Sequence, residues 1–262
     1  MRPRLAVALL VVIAAVLAVA PAATPCPSSR IVRIEDVGKG ASEAWVFLPA
    51  EEPPVCVLTF IHDDGDLSPA RYTPWLSYTV LRDHCAIVFP RYQLAPHSSA
   101  AENLRGLRAA VAAGIAFVRK TTFGLYGEKA VASMPHIAAG FGSGGTLAFA
   151  LASQARGWGL PSPVAIDSVF PVVSDGAPVP DRQLDARARV LVQVGDRDTV
   201  AGQASTSAVR KYLASHPGGR ARIQLVHSSS AFAATHTAPL RVDTPSENAF
   251  WGPLDTLIDS FT

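Results

Sequence analysis

The 262-residue sequence has little charge and almost no bias in its sign, with 17% charged residues and 23 basic against 21 acidic. That excludes the basic surface with which a protein grips nucleic acid. Cysteine is scarce: Cys26, Cys56 and Cys85 show none of the paired spacings of a zinc site. A glycine-rich loop closed by a phosphate-binding lysine is missing, as is a His-Glu-x-x-His helix, so no metal or organic cofactor is expected. The chain carries no internal repeat, low-complexity tract or interdomain linker.

What is present is apolar. Such residues make up 49% of the chain, enough for a substantial core, and the length suits one large domain. The start, "MRPR", is a short basic head. Sixteen apolar residues follow (Leu5 to Ala20), then the small residues and prolines of "PAATPCPSS". This order reads as a signal peptide over residues 1–22, leaving 23–262 as one exported domain, secreted or held at the cell surface. The rival is a membrane anchor over residues 5–20. Against it, sixteen helical residues reach roughly 24 Å, short of the ~30 Å hydrocarbon core. Contact with a membrane is expected only through this segment. Without the head, 21 basic residues face 21 acidic ones, so the slightly basic balance belongs to the targeting segment. Export makes a disulfide plausible. Cys56 and Cys85 each open an apolar strand-like run and could lie side by side. Two buried free thiols fit the same pattern.

Beyond residue 30, short β-rich runs alternate with longer helical ones. "RIVRIEDV" and "EAWVFLPA" alternate apolar and polar, as an edge hairpin does. "VCVLTFIH" and "CAIVFPRY" are continuous apolar runs, the mark of strands buried on both faces. Residues 100–121 carry Leu104, Leu107, Val111, Ile115 and Val118 on one helical stripe. Pro-rich "SDGAPVPDRQLDARA" is expected to be a loop or a small cap. The alternation implies an α/β fold with a mostly parallel sheet covered on both faces.

Three polar positions follow strands in chain order: Ser143, Asp198 and His236. "GFGSGGTLA", "VLVQVGDRDTV" and "ATHTAPL" resemble the α/β-hydrolases, and "FPRYQLAP" resembles a segment of their secreted bacterial members. The resemblance spans nearly all of the chain after the head. It implies an α/β-hydrolase fold with a minimal cap and hydrolysis of a carboxylic ester, small or lipid-like. Ser143 would be the nucleophile, His236 its base and Asp198 the acid that orients the histidine. Backbone N–H groups of Asp63 and Gly144 would form the oxyanion hole. Asp196 and His227 are the rivals for acid and base. Tyr72, Trp75 and Tyr92 would line a pocket for an apolar group.

The chain departs from the family pattern in two places. Laid without a gap over G-x-S-x-G-G, "GFGSGG" puts Gly142 at the nucleophile and Ser143 one place late. A slip of one residue restores Ser143 but puts Phe141 where the turn wants a small residue. In "FIHDDGD", Asp63 replaces the family's glycine after the third strand. A carboxylate there opposes a developing oxyanion unless it turns away. As a plain turn residue, Asp63 would still offer its N–H. The two departures motivate an alternative, a catalytically inactive α/β-hydrolase-fold binding or scaffold protein.

Overall fold

The computed structural model describes residues 31–132, 134–215 and 220–262, so the expected signal peptide and Cys26 lie outside the described residues. Eight strands form one sheet in the order β1-β2-β4-β3-β5-β6-β7-β8. The strands β1 (Val32–Val37) and β2 (Ala44–Pro49) make the expected antiparallel hairpin, and β2 pairs antiparallel with β4 (Cys85–Pro90). From β4 onward all pairs are parallel, through β3 (Cys56–Ile61), β5 (His136–Phe141), β6 (Ala165–Val169), β7 (Arg189–Gly195) and β8 (Ala221–Val226).

The central strands β3, β4, β5 and β6 are buried throughout, because helices cover both faces. The helices α3 (Glu128–Ala132), α5 (Gly202–Ala214) and α6 (Thr244–Ser246) lie among the larger ones, and one face of the sheet packs α2 (Ala100–Tyr126) and α4 (Ser143–Gln154) around Val88, Leu107, Val111 and Leu147. The other packs α1 (Thr73–Asp83) and α7 (Gly252–Asp259) around Phe60, Trp75, Phe89 and Trp251. The helix α2 starts on a capping box, in which Ser99 and Glu102 satisfy each other's backbone N–H groups. It runs five residues past the expected end at residue 121, with Phe123, Leu125 and Tyr126 exposed.

Cys56 and Cys85 pair in register on neighbouring strands and form a disulfide, with Cα atoms 4.6 Å apart. The Pro-rich segment is a loop with one isolated bridge, Ser174 to Ala177. Among the described residues, no helix is long and apolar enough to cross a membrane.

Chain connections leave the sheet in opposite directions at β3 and β5, which are neighbours. Beyond the C-terminal ends of strands at such a switch point lies the cleft of a doubly wound sheet. The loops after β3, β5, β7 and β8 carry Asp63, Gly142, Asp198 and His236 to that edge.

Candidate active site

The strand-to-helix turn is at Gly142, not at Ser143. Gly142 has φ +60° and ψ −126°, between the last residue of β5 and the first of α4. That region suits a residue without a Cβ. The turn is held by Gly142 N–H donating to Val169 O at 3.0 Å and by Gly145 N–H donating to Gly142 O at 3.0 Å. Gly144 is required for close packing: a Cβ there would come closer than 3.0 Å to the carbonyls of Ile61 and His62. The turn of the elbow is therefore made by Gly142, and Ser143 is the first helical residue after it.

Asp63 fills that position from the side. A Cβ on Gly142 would collide with the Asp63 carboxylate, closer than 3.0 Å to both of its oxygens. Asp63 Oδ1 accepts from Ser143 N–H at 2.7 Å and from Asp64 N–H at 2.8 Å. One donor lies just after the elbow and the other just after β3, as an oxyanion hole requires. The carboxylate thus takes both donors at the mouth of the cleft. The Asp63 N–H expected in the oxyanion hole is already spoken for, donating to Tyr72 Oη at 3.0 Å. Tyr72 in turn donates to Asp66 at 2.6 Å. The two N–H groups that converge on one oxygen are those of Asp64 and Ser143, where the sequence resemblance implies those of Asp63 and Gly144.

His236 lies between two carboxylates. Its Nδ1 is 3.1 Å from Asp198 Oδ2, and its Nε2 is 3.2 Å from Asp63 Oδ2. The Nε2 that would activate a nucleophilic serine is bonded to Asp63, and the Ser143 side chain is not its partner. Both ring nitrogens can donate only when the imidazole is protonated. Burial alone would lower its pKa, but hydrogen bonds and charge from Asp198 and Asp63 outweigh it and raise the value to about 9. Burial pushes Asp63 the other way, and the donors on it overcome that, holding it below the usual carboxylate range. The result is a charged Asp63–His236–Asp198 row, backed by the rings of Phe141 at 4.8 Å and Phe170 at 5.8 Å.

Of the rivals, Asp196 is tied to Ser228 and sits 3.6 Å from His227, and that exposed pair is separate from the row. Tyr72, Trp75 and Tyr92 do not line a pocket. All three are core residues, at most 3% exposed, because α1 folds flat over the sheet and His62 stacks on Tyr92. The cleft is polar instead, about 650 Å³, with Asp63, Asp64, His97, Ser143, Val172 and Asp175 on its walls. Asp64 is pinned by Gln93 and His97. Among the described residues, no cluster of His, Cys, Asp and Glu is arranged to hold a metal ion.

Solved structures with the same architecture are many. Esterase LipW from Mycobacterium marinum superposes with a TM-score of 0.63 at 20% identity, over 88% of this chain and 82% of that one. An esterase of Pyrobaculum calidifontis gives 0.65 at 15% identity, over 88% and 86%. A fungal esterase from Rhizomucor miehei gives 0.62 at 16%, over 88% and 84%. The chain has the α/β-hydrolase fold. At these identities the likeness extends to the fold and not to the chemistry. No protein-family model matches the sequence, and no curated protein matches it either.

The α/β-hydrolase framework explains what sequence reasoning missed. The sequence offers Asp63 either as a charge opposing an oxyanion or as a plain turn residue, and the structure instead turns its carboxylate onto the Asp64 and Ser143 N–H groups. The signal was available in the coincidence of two departures: a side chain lost at position 142 and one gained at position 63.

Proposed function

We propose that this chain is a catalytically silent member of the α/β-hydrolase fold, which binds a ligand at its polar cleft without covalent serine catalysis. The observation that carries this is Asp63. Its carboxylate occupies the nucleophile's space, accepts both oxyanion-hole N–H groups and holds His236 as an imidazolium. A protonated histidine cannot take a proton from a hydroxyl, and an occupied hole cannot stabilise an oxyanion. Export of the mature chain, after removal of residues 1–22, belongs to the same proposal and rests on the basic head and apolar run.

The second reading is an exported ester hydrolase with Ser143 as nucleophile, His236 as base and Asp198 as acid. It is supported by the esterases among the structural neighbours, by the Asp198–His236 pair and by Ser143 lining the cleft. For it to operate, Asp63 must swing out and Ser143 Oγ must reach His236 Nε2.

One experiment separates the two. The mature protein is treated with a fluorophosphonate probe, mapped by peptide mass, and assayed on short p-nitrophenyl esters. Asp63→Gly/Gly142→Ser is run beside it. The silent reading expects an unlabelled wild type and a labelled, active double variant. Label on Ser143 of the wild type, with turnover lost in Ser143→Ala, overturns it.

A further inference from the structure

We propose a second binding site, for a phosphate-bearing ligand, in the groove between β8 and α7. It lies at the opposite ends of β7 and β8 from Asp198 and His236. The strand register builds it. Leu191 of β7 pairs with Arg222 of β8, so the two share a face of the sheet. The two-residue period puts Arg189 with Leu191, and Arg220 with Arg222. It is the face that α7 covers, since Gln193, two residues beyond Leu191, donates to Phe250 O at 3.1 Å. Pro253, Thr256 and Leu257 on α7 and Ser260 at its C-cap are spaced i, i+3, i+4 and i+7 and form the opposite wall. The space between is about 440 Å³.

Three guanidiniums meet in this one concavity and no carboxylate lines it. Among the described residues, none of the three has an ion-pair partner. Arg189 lies over the Phe261 ring, 4.7 Å from its centre, and Arg220 reaches only the Arg187 carbonyl, at 3.4 Å. The nearby acids are engaged elsewhere: Asp259 with Arg82 at 3.0 Å, and Asp185 with Arg187 at 3.1 Å. Like charges drawn together at a protein surface repel, and a multiply charged anion relieves them. The guanidinium fork matches the spacing of phosphate oxygens, which a single-point cation does not. Leu257 and the stem of Arg189 leave an apolar wall for the group that carries the phosphate. The site is independent of the chemistry at Asp63.

The test is a calorimetric titration of the mature protein with phenyl phosphate and with pyrophosphate, at constant ionic strength. Saturable one-to-one binding is expected. Arg220→Gln/Arg222→Gln should weaken it about tenfold or more, while Arg187→Gln, on a guanidinium outside the groove, should leave it within about twofold. Vesicles bearing phosphatidic acid are run in parallel. Retention on them that the double variant loses, without binding of the soluble probes, assigns the phosphate to a lipid headgroup. Soluble binding assigns it to a free phosphate ester. No binding in either format, or binding unchanged in the double variant, overturns the proposal.

Discussion

The two sides of the cleft differ in what their loops present. On the β7–β8 side, Asp198 and His236 stand as a hydrolase needs them, 3.1 Å apart on loops that follow consecutive parallel strands. On the β3–β5 side the backbone of the elbow is kept, with its positive φ and its tight packing under Gly144, but the side chains are exchanged. Gly142 brings no side chain to the elbow, and the Asp63 carboxylate takes both of the N–H groups that converge beside it. The difference teaches that backbone geometry and chemistry are separable. Strand register and glycine packing preserve the turn whether or not a serine sits on it, because they hold the sheet to α4. Asp63 gives His236 Nε2 a partner from the β3 side.

The largest expected effect comes from making the two sides alike. In Asp63→Gly/Gly142→Ser the hole is vacated, His236 loses one of its two carboxylates, and a hydroxyl stands on the elbow. Ester hydrolysis should rise by roughly a hundredfold or more over wild type, the order of effect of an oxyanion hole with a general base. Gly142→Ser alone should gain nothing. Its Cβ meets the Asp63 carboxylate at a positive φ, so a fall in thermal midpoint without activity is expected. Activity from the single variant would mean that Asp63 moves aside freely.

A second substitution tests whether the elbow backbone is fixed by packing. Gly144→Ala brings a methyl against the carbonyls at the end of β3. Overpacking of this kind costs about 1–3 kcal/mol, read by urea denaturation. A neutral result would show that the turn is looser than its contacts imply.

Much of the fold was legible in the sequence, and the reason is physical. Continuous apolar runs such as "CVLTFI" and "CAIVFP" have one good environment, a strand covered on both faces, and the Cys56–Cys85 register follows once they are neighbours. The closeness of Asp198 and His236 fits loops that leave neighbouring strands, although His236 stands well past the end of β8 and His227 directly follows that strand. The role of Asp63 was not legible, because it depends on where a short side chain points across 80 residues of sequence separation. Nor was the burial of Tyr72 and Trp75. Their helical spacing is the same whether α1 covers a core or borders a pocket, and only the docking of α1 beneath α7 decides it.

The third prediction concerns pH. The raised pKa of His236 stabilises the fold fully below its unfolded value near 6.5, and that contribution fades as pH rises through about 9. The depressed pKa of Asp63 contributes above its unfolded value near 3.8 and is lost as acid protonates it below that. The row is therefore strongest between about pH 4 and 6.5. Asp63→Asn keeps the shape and removes the charge. It should lower the His236 titration midpoint, seen by NMR of the ring protons, and flatten the alkaline decline in thermal midpoint. A midpoint unmoved in Asp63→Asn would mean that Asp198 alone holds the proton.

The smallest effect, expected at Asp196, sharpens the comparison on the β7–β8 side. Asp196 and Asp198 sit two residues apart at the end of β7, and either could serve as the acid by position alone. Asp198 is nearly buried and bonds the ring of His236, whereas Asp196 is spent on Ser228 at the surface. In the activated Asp63→Gly/Gly142→Ser background, Asp198→Asn should cost most of the gained turnover, because the imidazole loses the anion that orients it. Asp196→Asn should change turnover by less than about twofold and leave the thermal midpoint nearly where it was, because its bonds to Ser228 are exposed. Equal losses from the two would mean that the loop moves as a unit and that His236 is positioned by the backbone rather than by Asp198.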